Sequence, residues 1–322
     1  MASKYDISVV IPVFNECDSL KPLAERLLPV LKAIGTHEVI FVNDGSSDGS
    51  ADVLDGLSRA HAGLIKVIHL RANCGKSIAL QYGFKEAQGE LVVMIDADLQ
   101  DKPEEIPTLV KYLKENDLDI VTGWKLSRRD PISKRLLSRL FNYVVRRFSG
   151  LDIHDFNCGL KVMRRDCLRD LRLYGSLHRF IIVMLANQGF KVGEHKVQHS
   201  PRKYGHSKYN ARRIYEGLLD FFTIFFITRY VQSPLYFFGF YGILCFLAAF
   251  LCGGFFLTLH FISIVKYFPQ GRLSEHPLWM LSPIMFLIGL IFIFFGLMGE
   301  LIYYLFSSQQ TSQNHIRNRT GF

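Results

Sequence analysis

The chain has 322 residues, 38 Lys and Arg against 29 Asp and Glu, and a formal net charge of +9. That length allows one or two domains. A hydrophobic content of 49% with 13% aromatic residues is rich for a soluble protein, and its concentration in two late stretches argues against a wholly soluble chain. Six cysteines (Cys17, Cys74, Cys158, Cys167, Cys245, Cys252) show no C-x-x-C spacing and are expected as free thiols.

The elements follow in chain order. Residues 7–13 (ISVVIPV) read as a strand, and acids arrive too early around it for a secretory leader. Residues 19–33 have helical spacing, with Asp18 or Ser19 as N-cap. Residues 38–44 read as a strand that ends in the turn NDGSSDGS, and a helix follows to about residue 60. Then come a strand at 65–70, a helix at 75–87, a strand at 90–96, a helix at 103–114 and a strand at 118–123. Continuous apolar strands alternating with helices predict an α/β fold, a mostly parallel sheet covered by helices on both faces. No internal repeat or low-complexity linker interrupts it.

Ligands of such sheets sit at the carboxyl ends of the strands. The polar chemistry of this chain gathers there. Pro12, Phe14, Asn15 and Glu16 follow the first strand, and Asn43, Asp44, Gly45 and Ser46 the second. Asp96, Asp98 and Gln100 follow the fourth, and Gly123 and Lys125 the fifth. Asp96 and Asp98 are i and i+2, so an extended backbone points both to one side. Carboxylates that close repel each other, and a cation between them relieves the repulsion.

Residues 235–265 and 277–299 contain no Asp, Glu, Lys or Arg. Each exceeds the roughly 20 apolar residues that cross a bilayer as a helix. The segment between them carries Lys266 and Arg272 against Glu275. The region before them is crowded with Lys and Arg, and the tail holds Arg317 and Arg319. Positive-inside logic places both ends in the cytoplasm. Residues 211–231 read as a helix at the membrane interface, basic first and aromatic later. Glu300, near the end of the second span, is expected to snorkel or to pair with an interfacial Arg or Lys.

Five segments together resemble a known group: VVIPVFNE (9–16), VNDGSSDGS (42–50), DADLQ (96–100) followed by PEEIP, HDFNCGLK (154–161) and RKYGHSKY (202–209). They resemble the inverting family-2 glycosyltransferases with a GT-A fold. With two terminal spans, they are most similar to the polyprenyl-phosphate glycosyltransferases, the group of dolichyl-phosphate mannosyltransferases and undecaprenyl-phosphate glucosyltransferases. The QxxRW signature of processive polysaccharide synthases is absent, since neither Trp124 nor Trp279 sits in that pattern. The resemblance implies a catalytic domain over 1–209, an interfacial region at 210–232 and a span region at 233–306. Its two spans lie at about 235–265 and 277–303, and a cytoplasmic tail follows at 307–322.

It also implies transfer of one sugar, with inversion, from a UDP- or GDP-hexose to undecaprenyl or dolichyl phosphate at the cytoplasmic membrane face, by a homo-oligomer. Pro12, Phe14, Asn15, Glu16, Asp44, Lys76 and Asp96 would hold the nucleotide sugar, with Asp44 on the base. Asp96, Asp98 and Gln100 match the family's metal positions, and oxygen ligands suit Mg²⁺ or Mn²⁺. Asp98, Lys125, Arg128 and Asp155 are the implied catalytic residues. For Asp155, orienting the sugar or a basic residue and making a structural salt bridge both stand open. His154 has no partner at metal-ligand spacing.

A lipid monophosphate is already anionic at neutral pH, its second pKa being about 6 by analogy with phosphoesters. It needs positioning and positive charge rather than a general base. Residues 125–147 hold eight basic side chains against Asp130 alone, and residues 202–213 hold five with no acid. Lys125, Arg128, Arg135, Arg202, Ser207 and Lys208 are the acceptor-phosphate candidates. The family often has Arg where Lys125 stands; Lys lacks the planar fork, which Arg128 or Arg129 would then supply. Some of these residues would serve only to attract anionic headgroups, at roughly 1 kcal/mol each. The basic runs lie beside membrane segments and carry no nucleic-acid-binding motif, which argues against a nucleic-acid partner. The alternatives are a different lipid acceptor such as diacylglycerol, or an inactive membrane scaffold, against which the intact DADLQ stands.

Overall fold

The computed structural model describes residues 3–125, 132–198, 200, 222–223, 225–226, 229–230, 233–266 and 280–307. The chain divides into two compact units with the boundary between Phe225 and Phe226.

The first unit is built on a seven-stranded sheet in the order β3-β2-β1-β4-β6-β5-β7. Strands β1 (Tyr5–Val13), β2 (His37–Asn43), β3 (Ile65–His69) and β4 (Gly89–Met94) run parallel. Val9 lies opposite both Val39 and Val93. The centres of β1, β2 and β4 (Val9–Ile11, Val39–Val42 and Leu91–Met94) are apolar because both faces are covered. Val9, Ile11, Val93 and Ile95 pack with Leu20, Leu23 and Leu27 of α1 (Cys17–Ile34), Leu54 of α2 (Ser50–Ala60), and Leu109 and Leu113 of α4 (Ile106–Glu115). On the other face Val10, Val92 and Met94 meet Ala79, Leu80 and Phe84 of α3 (Lys76–Glu86) and Ile181, Ile182 and Leu185 of α6 (Ile181–Asn187).

Helix α1 starts at Cys17, two or three residues earlier than a cap at Asp18 or Ser19 would give, with Glu16 in the cap position. The Cys17 N–H is taken by Asp48, and Ser19 Oγ donates to the Glu16 carbonyl at 2.9 Å. The expected helix at 103–114 opens as a 3₁₀ turn, Pro103–Glu105, before α4.

The second half of the sheet departs from simple alternation. Strand β6 (Lys161–Arg164) inserts between β4 and β5 (Ile120–Lys125) and runs antiparallel to both, while β7 (Val192–Val197) pairs parallel with β5. Lys161 lies opposite Met94 and Thr122. An antiparallel strand begins where its parallel neighbours end. The turn at 155–160 that leads into β6 therefore arrives at the carboxyl edge of β4 and β5. Helix α5 (Ile132–Ser149) carries much of the first basic run.

The second unit contains α7 (Pro234–Lys266) and α8 (Leu281–Ser307), which pair as an antiparallel hairpin. Each is long and apolar enough to cross a membrane, with spans at Pro234–Phe261 and Leu281–Leu305 and mean hydropathies of 2.3 and 2.5. Small residues form the seam, as close packing of helices in lipid requires. A Cβ on Gly242 would lie 2.8 Å from Ile293 Cγ1, and one on Gly299 would lie 2.8 Å from Pro234 Cβ. Ser282 Oγ donates to the Ala249 carbonyl at 2.9 Å. Glu300 accepts the Leu235 N–H at 3.3 Å, an amide of the first turn of α7 that has no partner within its own helix. That bond is a third option beside snorkelling and an ion pair. Most of the expected interfacial helix, the loop carrying Arg272 and Glu275, and the tail lie outside the described residues. All six cysteines are free thiols.

Candidate active site

Three loops meet where β1, β2 and β4 end. Asn15 adopts a left-handed conformation (φ 56°), which Asn tolerates better than bulkier side chains. Its N–H donates to Ser46 Oγ at 3.0 Å, and its Oδ1 accepts the Ser47 N–H at 2.9 Å. The Glu16 N–H reaches Ser50 Oγ at 3.2 Å. Asp48 accepts the Cys17 N–H at 3.1 Å and the Ser50 hydroxyl at 2.5 Å. Burial opposes the charge on Asp48, but the Ser50 and Cys17 bonds prevail and hold its carboxyl below the ordinary value. The VVIPVFNE and NDGSSDGS segments are thus one knitted rim, with Pro12, Phe14, Asn15 and Glu16 half-buried along it.

Asp44, expected on the donor base, is buried, and both its oxygens take backbone amides: Cys74 N–H at 2.7 Å and Gly75 N–H at 2.9 Å. These amides lead directly into α3, so Asp44 fixes the entry of that helix. Gly45 makes this approach possible: its φ is 66°, and a Cβ there would lie 2.5 Å from the Ala72 carbonyl carbon.

Lys76, the first residue of α3, places Nζ 2.5 Å from Asp96 Oδ1, and both side chains are 30% exposed. Asp98 is buried and accepts the Gln100 N–H at 3.1 Å. Between them Leu99 stands at φ 61°, unusual for an apolar side chain and a sign of backbone strain held by its surroundings. The Gln100 carbonyl accepts the Ser200 N–H at 2.9 Å, so the chain that leads toward 202–209 passes beside the DADLQ turn.

Behind this turn lies a buried charge cluster. Lys125, an expected phosphate ligand, is 12% exposed and pairs with Asp101, 2% exposed, at 2.7 Å. Burial works against the Lys125 ammonium, but Asp101 and the other nearby acidic groups outweigh it and raise its pKa. Gly159 is wedged against the same carboxylates: a Cβ there would lie 2.5 Å from Asp101 Oδ2 and 2.7 Å from Asp96 Cγ. Asp155 is buried, and its Oδ1 accepts the Asn157 N–H at 3.2 Å. Lys161 is buried and donates to the carbonyls of Phe156 and Cys158. Burial pushes its pKa down, and it pushes the Cys158 thiol up to about 12. His154 stacks on Trp124 with ring centroids 4.1 Å apart and is held by Glu194 through its backbone N–H and its ring.

Asp101 and Glu194 escaped sequence reasoning, and Gly159 and Lys161 stood within HDFNCGLK without an assigned role. Asp101 directly follows DADLQ, so its run was the available signal; the roles of the other three depend on β6 and β7. Arg128, Arg202, Ser207 and Lys208, and the Arg135 side chain, lie outside the described residues.

Among the described residues no group of three or more His, Cys, Asp and Glu is gathered for a metal. Asp96 and Asp98 with the Gln100 amide nevertheless offer oxygen donors alone, the set a hard cation prefers. Asp96 already carries a positive group, the Lys76 ammonium, at a place solvent reaches. These residues fit a cation that draws its remaining ligands from substrate and water.

The sequence matches the family described as Glycosyl transferase family 2 over residues 8–172. It is 31% identical over 316 residues to dodecaprenyl-phosphate galacturonate synthase of Rhizobium johnstonii, covering 97% of this chain and 91% of that protein. It is also 31% identical over 316 residues to undecaprenyl-phosphate 4-deoxy-4-formamido-L-arabinose transferase of Pectobacterium atrosepticum, covering 98% and 93%. Among solved structures, glucosyl-3-phosphoglycerate synthase from Mycobacterium tuberculosis in complex with Mn²⁺ and uridine-diphosphate-glucose shares the fold. That likeness has a TM-score of 0.52 at 20% identity, over 70% of this chain and 79% of that one. A near-full-length likeness to two transferases, on a GT-A sheet whose carboxylates gather at its carboxyl edge, settles the family: the chain belongs to glycosyl transferase family 2.

Proposed function

We propose that this chain transfers a single sugar from a nucleotide-sugar donor to polyprenyl phosphate, with inversion, at the cytoplasmic face of a membrane. The observation that carries the reading is likeness along the whole chain, spans included, to two transferases named for prenyl-phosphate acceptors. UDP and GDP are the nucleotides in view. The active form is a homo-oligomer, anchored by α7 and α8 with both ends in the cytoplasm.

The rim of Pro12, Phe14, Asn15 and Glu16 takes the nucleoside. Asp44 acts on the donor through α3, whose amino-terminal amides and Lys76 face its phosphates; a helix amino terminus favours anions. Asp96 and Asp98, with Gln100, hold Mg²⁺ or Mn²⁺. A bound divalent ion supplies neutralisation of the charge that builds on the departing nucleoside diphosphate. The acceptor oxygen is already anionic, so no side chain must deprotonate it. Arg128, Arg135, Arg202, Ser207 and Lys208 hold the acceptor phosphate against the sugar. Lys125 spends its charge on Asp101 and holds the turn after β4. Asp155, in the turn before β6, orients the sugar.

The test is a transfer assay with full-length protein in detergent, either undecaprenyl phosphate or diacylglycerol as acceptor, Mg²⁺ or Mn²⁺, and UDP- and GDP-sugars including hexoses, a uronate and a 4-formamido pentose. The reading expects one metal-dependent glycolipid that Asp98→Ala abolishes. Absence of product from every donor with folded protein overturns it; product from diacylglycerol instead redirects it to another lipid.

A further inference from the structure

Lys76 is held differently from the other two lysines near it, Lys125 and Lys161. Lys125 is closed in by Asp101, and the Lys161 amine is turned onto two carbonyls. Lys76 alone of these three lysines meets its carboxylate where solvent reaches both partners. The carboxylate end is fixed, because Gly159 packs so closely that one added carbon would lie 2.7 Å from both Asp96 Cγ and Asp96 Oδ2. The lysine's base is fixed as well, because Asp44 grips the two amides just before it. Its four-carbon stem is the part free to turn.

An ammonium 2.5 Å from Asp96 Oδ1 and a divalent ion on that same oxygen exclude each other, by contact and by like charge. We infer that Lys76 is an exchangeable placeholder: a divalent cation entering on Asp96 and Asp98 displaces its ammonium, which turns onto the phosphate oxygens of the donor. The inference rests on the reading of Asp96 and Asp98 given under the proposed function. It adds an order to the charges. A cation binding alone must strip Asp96 of its partner, and so binds weakly. A cation binding with the donor gives the displaced ammonium a new anion, so the two ligands strengthen each other.

The test titrates Mn²⁺ alone into the purified full chain, reading free Mn²⁺ by electron paramagnetic resonance. Wild type is compared with Lys76→Met, Lys76→Gln and Asp96→Asn. Both Lys76 variants should bind Mn²⁺ about fivefold more tightly than wild type, the size expected of a partly exposed pair. Adding UDP or GDP should raise Mn²⁺ affinity by a larger factor in wild type than in either variant. Equal or weaker Mn²⁺ binding in both Lys76 variants, with binding lost in Asp96→Asn, overturns the exchange and leaves the carboxylate site standing. Unchanged Mn²⁺ binding in Asp96→Asn removes the cation from Asp96 altogether, and the underlying assignment fails with it.

Discussion

Replacing Asp101 with Asn removes one partner of a pair that is almost fully enclosed. Lys125 is 12% exposed and Asp101 2%, at 2.7 Å, so neither charge can be handed to water without opening the turn after β4. Breaking a buried pair from one side costs about 3–5 kcal/mol, a large share of the ~5–15 kcal/mol that holds a domain together. For a unit of this size that lowers the unfolding temperature by on the order of 10 °C. Removing both charges, in Asp101→Asn with Lys125→Met, should return most of the loss, because no buried ion is then left alone. Lys125 has a pKa raised above its ordinary 10.5, so the stability it contributes is fully present below that value. It is lost only as pH rises through the higher folded-state value. The deficit of Asp101→Asn should therefore be the same across the neutral range. Thermal unfolding of the detergent-solubilised chain, followed by the fluorescence of Trp124 next to Lys125, measures it. A single variant as stable as wild type, or a double variant no better than the single, would show that the Lys125–Asp101 pair does not hold the turn.

Three further outcomes follow from the geometry. Gly159→Ala pushes a methyl into Asp96 and Asp101; transfer should fall by roughly 10–100-fold, the scale of an ångström-sized misplacement, with a smaller change in thermal stability. Asp44→Asn leaves one of the Cys74 and Gly75 amides without an acceptor, at about 1–3 kcal/mol, and hydrogen exchange at those amides should accelerate. Gly242→Ile parts α7 from α8, since even a Cβ there would lie 2.8 Å from Ile293; the purified chain should lose helical hairpin stability on heating.

The elements from β1 to β5 were legible because each is local: an apolar run of strand length, a polar turn, an amphipathic helix. The strand expected at 38–44 is His37–Asn43, and the helix expected at 75–87 is Lys76–Glu86. The spans were legible for the same reason. β6 was not, because four residues, KVMR, are too short for a period, and their place is set by pairing with two distant strands. β7, VGEHKV, has no apolar run to announce it. The site divides along the same line. The carboxylates of DADLQ were visible as a pattern, but their partners were not. Asp44 looked like a donor contact, and only the fold reveals the two amides it grips. Lys125 looked like a free cation at the end of a strand, and only the return of the chain through Gly159 and β6 shows the pocket that encloses it.

In the proposed reaction the sugar alone moves, onto a phosphate the lipid already carries. Identifying the nucleotide released when the full chain turns over donor in the presence of polyprenyl phosphate distinguishes this from transfer of a sugar phosphate. The account predicts nucleoside diphosphate, in equal amount to a glycolipid that holds a single phosphate. Release of nucleoside monophosphate with a two-phosphate lipid product would mean that a sugar phosphate is transferred, and would contradict it.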